Sequence, residues 1–275
     1  MDDSTISLGH METPSLPSSA PGGTTSTPFQ RTALTVTFYV RLFVIVLWSS
    51  IVFILGTPLF LAFWGNLNLN RMVGRVLWYP LSWILGLKIE ISNEQRLTAS
   101  QPCVYLANHQ SALEVLLFAS FVTDRTLAIG KKQILWVPFF GLFFAAAGNI
   151  FIDRKKRHQA VSGLTKAVEI AKNRGASILI FPEGTRNKTP GTLLPFKKGP
   201  FHMAISGQLP IVPIVIAPIQ DIWDAAARVS RSGLVKVQVL DPIPTRGLSG
   251  ADIETLSDRV RSEMLACLTR REHRP

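Results

Sequence analysis

The chain has 275 residues, 47% of them hydrophobic, and carries 29 Lys and Arg against 18 Asp and Glu, a net charge of +11. That length allows one large domain with an appendage, and the basic surplus points to anionic partners such as phospholipid headgroups, phosphorylated substrates or nucleic acid. The apolar content tilts the choice toward lipid, and two cysteines outside any metal-ligand spacing, Cys103 and Cys267, argue against a disulfide framework and for a reducing compartment.

Residues 1–32 are rich in Ser, Thr, Pro and Gly and nearly free of large apolar side chains, so they cannot bury enough surface to offset their ordering entropy. We expect a disordered tail. It does not read as a secretory signal, because Asp2 and Asp3 stand where basic residues are needed. From Leu42 to Phe63 no charge occurs over about 22 residues, enough to cross roughly 30 Å of hydrocarbon as a helix, and Gly56 and Pro58 should kink it rather than forbid it. Trp48, Trp64 and Arg41 suit interfacial anchors. A second apolar stretch, Val76 to Leu87, is too short to span and is expected to lie in the interface or form half of a hairpin. Residues 33–87 thus read as a membrane-inserted helical segment or hairpin. Arg71, Arg75 and Lys88 beyond the long run, against an acidic tail before it, place the downstream chain on the cytosolic face, and the long polar tail suggests the endoplasmic reticulum.

From residue 88 to 275 the pattern changes. KIEIS, CVYLAN, TLAIG, NIFIDR, ASILIFPEG, IVPIVIAP and VKVQVLDPI are expected strands, separated by stretches of helical spacing: ALEVLLFASF, ILWVPFFGLFFAAAG, HQAVSGLTKAVEIAKNRG and PFHMAISGQ. Asn173-Arg174-Gly175 reads as a helix stop. A last helix from about Asp252 should carry Ile253, Leu256, Val260, Met264 and Leu268 on one face. Alternation of this kind predicts an α/β domain, a mixed sheet flanked by helices. Neither GxxxxGK nor GxGxxG occurs, and no metal motif, so neither a nucleotide cofactor nor a metal is expected.

Three stretches can carry chemistry. In NHQSALEV, residues 108–115, Ser111 and Glu114 fit a capping box that opens a helix, which leaves His109 as an ordinary loop residue. The same letters also place a histidine at the C-terminal end of a strand, where α/β sheets bind ligands, with a carboxylate able to fix its tautomer. Capping and catalysis compete for Glu114. In FPEGTRN, residues 181–187, Gly184 permits a tight turn while Thr185 and Arg186 offer a hydroxyl and a guanidinium, a loop suited to an anion; the plainer alternative is a Glu183–Arg186 salt bridge. In IFIDRKKRH the later charges read as a solvated face, whereas Arg154 is the candidate ligand, with Lys131 and Lys132 adding to the same positive basin. Pro213 inside IVPIVIAP suits an edge or bulged strand along an apolar wall, or a plain core strand.

Together these blocks resemble the membrane-bound glycerolipid acyltransferase family, in particular the 1-acylglycerol-3-phosphate (lysophosphatidic acid) acyltransferases. NHQSALE, GNIFIDR, FPEGTRN and IVPIVIAP match the family's four blocks in order over about residues 85 to 245. The resemblance implies transfer of an acyl group from acyl-CoA, a co-substrate rather than a bound cofactor, to the 2-hydroxyl of 1-acylglycerol 3-phosphate, giving phosphatidic acid and CoA. It implies His109 as general base oriented by Glu114. The phosphate would be held by Arg154, Glu183, Gly184, Thr185 and Arg186, with contacts from Lys131 or Lys132. Phe139, Phe140, Val212 and Pro213 would line an acyl pocket, and backbone amides after Ser111 would supply the oxyanion donors. The family usually has aspartate where Glu114 stands, so the reach to His109 is the open geometric point. Rival readings are Ser111 as an acylated nucleophile, another lysolipid or glycerol 3-phosphate as acceptor, and a non-catalytic protein that binds anionic lipid. A nucleic-acid partner is not expected, since the basic residues accompany lipid-length apolar runs.

Overall fold

The computed structural model describes residues 28–121, 123–153 and 157–272. The expected tail lies outside these residues up to its last few, which already belong to helix α1, Pro28–Ala62. Helix α2, Leu69–Leu85, returns along α1, so the two form a hairpin, and the short apolar stretch expected to lie in the interface is its second half. Strand β1 is Leu87–Ser92, α3 Arg96–Ala99, β2 Val104–Ala107, α4 Leu113–Phe121, β3 Thr126–Lys131, α5 Phe140–Ala146, β4 Ile150–Ile152 and α6 Arg157–Arg174. There follow β5 Ser177–Ile180, α7 Gly199–Gly207, β6 Ile211–Ile216, the small hairpin β7 Trp223–Asp224 and β8 Val229–Ser230, β9 Gly233–Val239 and α8 Ile253–Glu272.

Seven strands form one sheet in the order β1-β9-β6-β2-β5-β3-β4. From β6 to β4 every pairing is parallel; β9 runs antiparallel to β6 and carries β1 parallel beside it, which makes the sheet mixed. The three central strands, β2, β5 and β6, are buried at every position, as a parallel sheet covered on both faces requires. Alternate residues face opposite layers. Tyr105, Ala107, Leu179, Val212, Ile214 and Ile216 meet α1, α2 and α4, whereas Val104, Leu106, Ile178, Ile180, Ile211 and Val215 meet α6, α7 and α8. The five residues expected on one face of the last helix are all buried there. At roughly 1.5–3 kcal/mol per fully buried aliphatic side chain, they far outweigh the exposed Arg259–Glu263 pair, worth about 0.3–0.5 kcal/mol, so packing fixes α8.

Of the settings open to the strand of Pro213 the core strand is the one found: β6 is interior, and the proline is tolerated because the antiparallel ladder to β9 spans only Ile214–Ile216, leaving the proline nitrogen outside it. One expectation is corrected. The stretch ILWVPFFGLFFAAAG is not one helix: a tight turn over Lys132–Trp136 is followed by Pro138 and by Phe139 at φ 61°, and only then does α5 begin.

The hairpin belongs to the same packed body. On α2, Val73, Leu77, Leu81 and Leu85 are buried, and a β-carbon at Gly74 would sit 2.6 Å from the backbone oxygen of Ala119 in α4, so these two helices approach as closely as glycine permits. α1 touches the domain from Phe38, against Trp223 at 5.1 Å between rings, to Phe60, against Phe143 at 5.4 Å, a stretch of about 33 Å at the helical rise. Between them Arg41 donates to the carbonyl of Ser230 at 3.0 Å, and the Trp48 indole donates to the carbonyl of Leu77 at 3.1 Å. Thr32–Ala62 is long and apolar enough to cross a membrane. Its outward side presents Phe43, Val46, Leu47, Ile54 and Leu55, an apolar strip of a size that suits lipid rather than water.

Candidate active site

The loops after β2 and β5, adjacent in the sheet, meet at the carboxyl ends of the strands. They are stitched together through backbone groups. The amide of His109 donates to Glu183 Oε1 at 2.9 Å, and the amide of Asn187 donates to the carbonyl of His109 at 2.7 Å. The other oxygen of Glu183 accepts the amide of Leu194 at 2.9 Å. Asn108, the last residue before the histidine, pairs both ends of its amide with the backbone of Ile216 on β6, at 2.9 and 2.8 Å. His109 is therefore fixed from three strands, which is what a reacting group needs in order to hold its position.

Glu114 is fully buried at the first turn of α4. Its Oε2 lies 2.6 Å from His109 Nδ1, while Oε1 accepts the amides of Gln110 at 2.8 Å and Ser111 at 3.1 Å. The expected competition does not arise: Oε2 takes the imidazole and shares the Gln110 amide at 3.0 Å, while Oε1 holds the cap. The extra methylene relative to aspartate leaves no gap. A carboxylate is an acceptor only, so the proton on this ring sits at Nδ1 and Nε2 keeps its lone pair. Burial pushes the Glu114 carboxyl above its ordinary 4.5, opposed by the hydrogen bond and charge of His109 and by the two amides. Burial raises Glu183 likewise, against its two backbone donors.

The imidazole stacks on the Phe181 ring, centroids 4.1 Å apart, and Phe118 meets the same ring edge-on at 5.6 Å. His109 opens into a cavity of about 440 Å³. One end of the cavity is polar and basic, with Lys131, Gly184, Thr185 and Arg186. The remainder is mostly apolar, walled by Phe53 and Phe60 of α1, Val73 and Leu77 of α2, and Phe140 and Phe143 of α5, with Asn70, Thr126 and Asn149 as its polar members. A chamber lined by an imidazole, two basic side chains and a mostly apolar body suits an amphiphile.

The site residues expected from sequence divide accordingly. His109, Lys131, Gly184, Thr185, Arg186 and Phe140 line the cavity. Gly184 takes φ 74°, where a side chain would be strained, and turns the loop so that Thr185 and Arg186 stand exposed at the mouth. Glu183 is not part of the cavity lining: both oxygens accept backbone amides, and it forms no ion pair with Arg186 among the described residues. Lys132 begins the tight turn after β3 and is not part of the cavity lining. Phe139 is thrown outward by its positive φ and is 53% exposed, and Val212 and Pro213 are core residues of β6 rather than cavity wall. Arg154 lies outside the described residues. The Ser111 hydroxyl accepts the amide of Leu113 at 3.2 Å and does not reach the cavity, which takes away the geometry of a nucleophile. The amides of Gln110, Ser111 and Leu113 are engaged within the loop, so of the amides expected after Ser111 as oxyanion donors that of Leu113 is already taken.

Sequence reasoning missed Phe181, although it opens the FPEGTRN block, because an aromatic before proline reads as strand end. It missed Asn108, Asn187 and Leu194 as braces, and the contribution of α1 to the cavity wall, for which no local signal exists.

A family model described as acyltransferase matches residues 88–217. The chain is 38% identical over 196 residues to 1-acyl-sn-glycerol-3-phosphate acyltransferase alpha of Homo sapiens, covering 71% of this chain and 69% of that one. To the 1-acyl-sn-glycerol-3-phosphate acyltransferase of Saccharomyces cerevisiae it is 34% identical, covering 74% and 68%, and to that of Haemophilus influenzae 34%, covering 79% and 89%. The fold is similar to the crystal structure of a 1-acyl-sn-glycerophosphate acyltransferase from Thermotoga maritima, with TM-score 0.66, 22% identity, and 90% of this chain and 98% of that chain covered. By sequence over most of its length, the chain belongs to the glycerolipid acyltransferase family of which these 1-acyl-sn-glycerol-3-phosphate acyltransferases are members.

Proposed function

We propose that the chain is a 1-acylglycerol-3-phosphate acyltransferase that takes its acyl group from acyl-CoA and uses His109 as general base. The observation that carries this reading is the shared cavity: an imidazole held by a buried carboxylate faces the same chamber as Arg186 and Lys131. An alcohol is barely ionised at neutral pH and needs a positioned base. In the proposed step His109 Nε2 accepts the proton of the acceptor's 2-hydroxyl as its oxygen bonds to the thioester carbonyl carbon. The carbon–sulfur bond then breaks, CoA leaves as thiolate, and the imidazolium returns the proton to sulfur. Glu114 stabilises the transient imidazolium across 2.6 Å. Arg186 and Lys131 bind the phosphate, and the aromatic body of the cavity receives acyl chain. The outward apolar strip of α1 supports work at a bilayer surface; we assign the domain to the cytosolic face on the basic residues that follow α1, and to the endoplasmic reticulum on the long polar N-terminal tail.

An acceptor panel run with one acyl-CoA tests this directly, with lysophosphatidic acid, other lysolipids and glycerol 3-phosphate compared. We expect turnover with lysophosphatidic acid, lost in His109→Ala and retained with a raised acceptor KM in Arg186→Ala. Equal and mild effects of the two substitutions would undo the assigned roles, and no turnover with any acceptor would favour a lipid-binding protein without catalysis.

A further inference from the structure

α2 has two working sides. Val73, Gly74 and Leu77 face the reaction cavity, while the opposite side, together with Trp48 of α1, lines a separate groove of about 650 Å³. Along that groove Arg71, Arg75 and Tyr79 recur at four-residue spacing beside Met72, Val76 and Pro80, so a basic end passes into an apolar trough over about 15 Å of helix. Asp124 stands at the basic end and pairs with Arg71 at 2.9 Å, but both partners are nearly half exposed. Arg75 is exposed and has no hydrogen-bond or ion-pair partner among the described residues. Two guanidiniums against one carboxylate leave a net positive pole. Met72, Val76 and Tyr79 are exposed apolar surface, and the adjoining turns of α1 present Leu47, Ile51 and Leu55 outward, so the trough continues into the strip that faces lipid.

We infer that this groove binds one anionic phospholipid, its phosphate on Arg75 and Arg71 and an acyl chain along Met72, Val76 and Tyr79 toward Trp48. A free phosphate ion would use only the basic pole and would leave the apolar trough in water, so the occupant is a lipid. Exposed arginine beside an apolar, aromatic-walled channel is the chemistry of headgroup recognition at a membrane surface. The site is distinct from the reaction cavity, since α2 stands between them, and its existence does not depend on the acyl transfer proposed above.

The test is native mass spectrometry of the full chain in a neutral detergent, titrated with phosphatidylglycerol or phosphatidylcholine, for the parent and for Arg75→Gln, Arg71→Gln/Arg75→Gln, Val76→Trp and, as a charge-matched control, Arg246→Gln. We expect the parent and the control to retain one phosphatidylglycerol more tightly than phosphatidylcholine. Arg75→Gln should weaken that binding roughly fivefold, and the double substitution should weaken it further. Val76→Trp should remove it by filling the trough without touching a charge, and millimolar inorganic phosphate should not displace the lipid. Retention in Arg75→Gln and Val76→Trp equal to that of Arg246→Gln, equal binding of phosphatidylcholine, or displacement by phosphate would each overturn the inference. Because adducts are counted without turnover, failure of this site and failure of the catalytic reading give different results.

Discussion

Replacing Glu114 by glutamine tests the site most sharply, because the amide keeps the size of the carboxylate and loses its acceptor-only character. If the new nitrogen takes the place of Oε1, its hydrogens oppose the amides of Gln110 and Ser111, now 2.8 and 3.1 Å away, leaving two donors unpaired at about 1–3 kcal/mol each. If it takes the place of Oε2 it faces His109 Nδ1, and the ring can adapt by moving its proton to Nε2. The second arrangement costs less for folding and more for chemistry, since Nε2 then has no lone pair to accept a proton. A wrong tautomer of this kind costs on the order of 10⁴ in kcat in serine proteases. We expect kcat for Glu114→Gln to fall by roughly 10³–10⁴ with little change in acceptor KM, measured by release of CoA thiol, and a modest fall in Tm. Glu114→Asp, which keeps the charge, should recover a large part of the loss. A Glu114→Gln enzyme within tenfold of the parent kcat would refute the orienting role.

Glu183→Ala should leave the amides of His109 and Leu194 unpaired, costing about 1–3 kcal/mol for each, and should lower Tm and kcat together, whereas Arg186→Ala acts mainly on acceptor KM; thermal melts beside kinetics separate the two. Burial lifts the carboxyls of Glu114 and Glu183 above 4.5, so in that window the folded chain holds protons that the unfolded chain has released. Their contribution to stability therefore declines as pH rises from 4.5 through the raised values, and Glu183→Gln should flatten that part of a Tm-against-pH series; an unchanged slope speaks against the burial argument. Gly74→Ala puts a methyl 2.6 Å from the Ala119 carbonyl, so α2 must shift off α4; we expect a lower Tm and altered acyl-chain preference across a series of acyl-CoA donors, and a silent substitution would mean the helices are not in such close contact.

Much of the fold could be read from local pattern. The β-branched runs are the strands because parallel strands buried on both faces leave little room for polar residues, and Gly175 after α6 stands at φ 56°, the helix-ending conformation its neighbours announce. His109 and Arg186 are likewise legible as polar residues in loops that follow apolar strands, and Glu114 as the acid in the first turn of the next helix. What escaped was long-range. Nothing near Glu183 says that its partners are the amides of His109 and Leu194, and nothing in α1 says that Phe53 and Phe60 complete a chamber beside α5. Pro213 and Phe139 misled because their side-chain chemistry suggested an apolar wall, while sheet order and a positive φ decide where they point.

The contact of α1 with the body of the protein from Phe38 to Phe60 bears on how the molecule can be cut. Removing everything before Trp64 to obtain a water-soluble catalytic half would strip Phe38, Val52 and Phe60 from the core and leave Arg41's acceptors on Ser230 and Ser232 unanswered. It would also take one side off the reaction chamber. The long apolar helix and the domain are a single object, and whatever tilts or lifts that helix carries the imidazole with it.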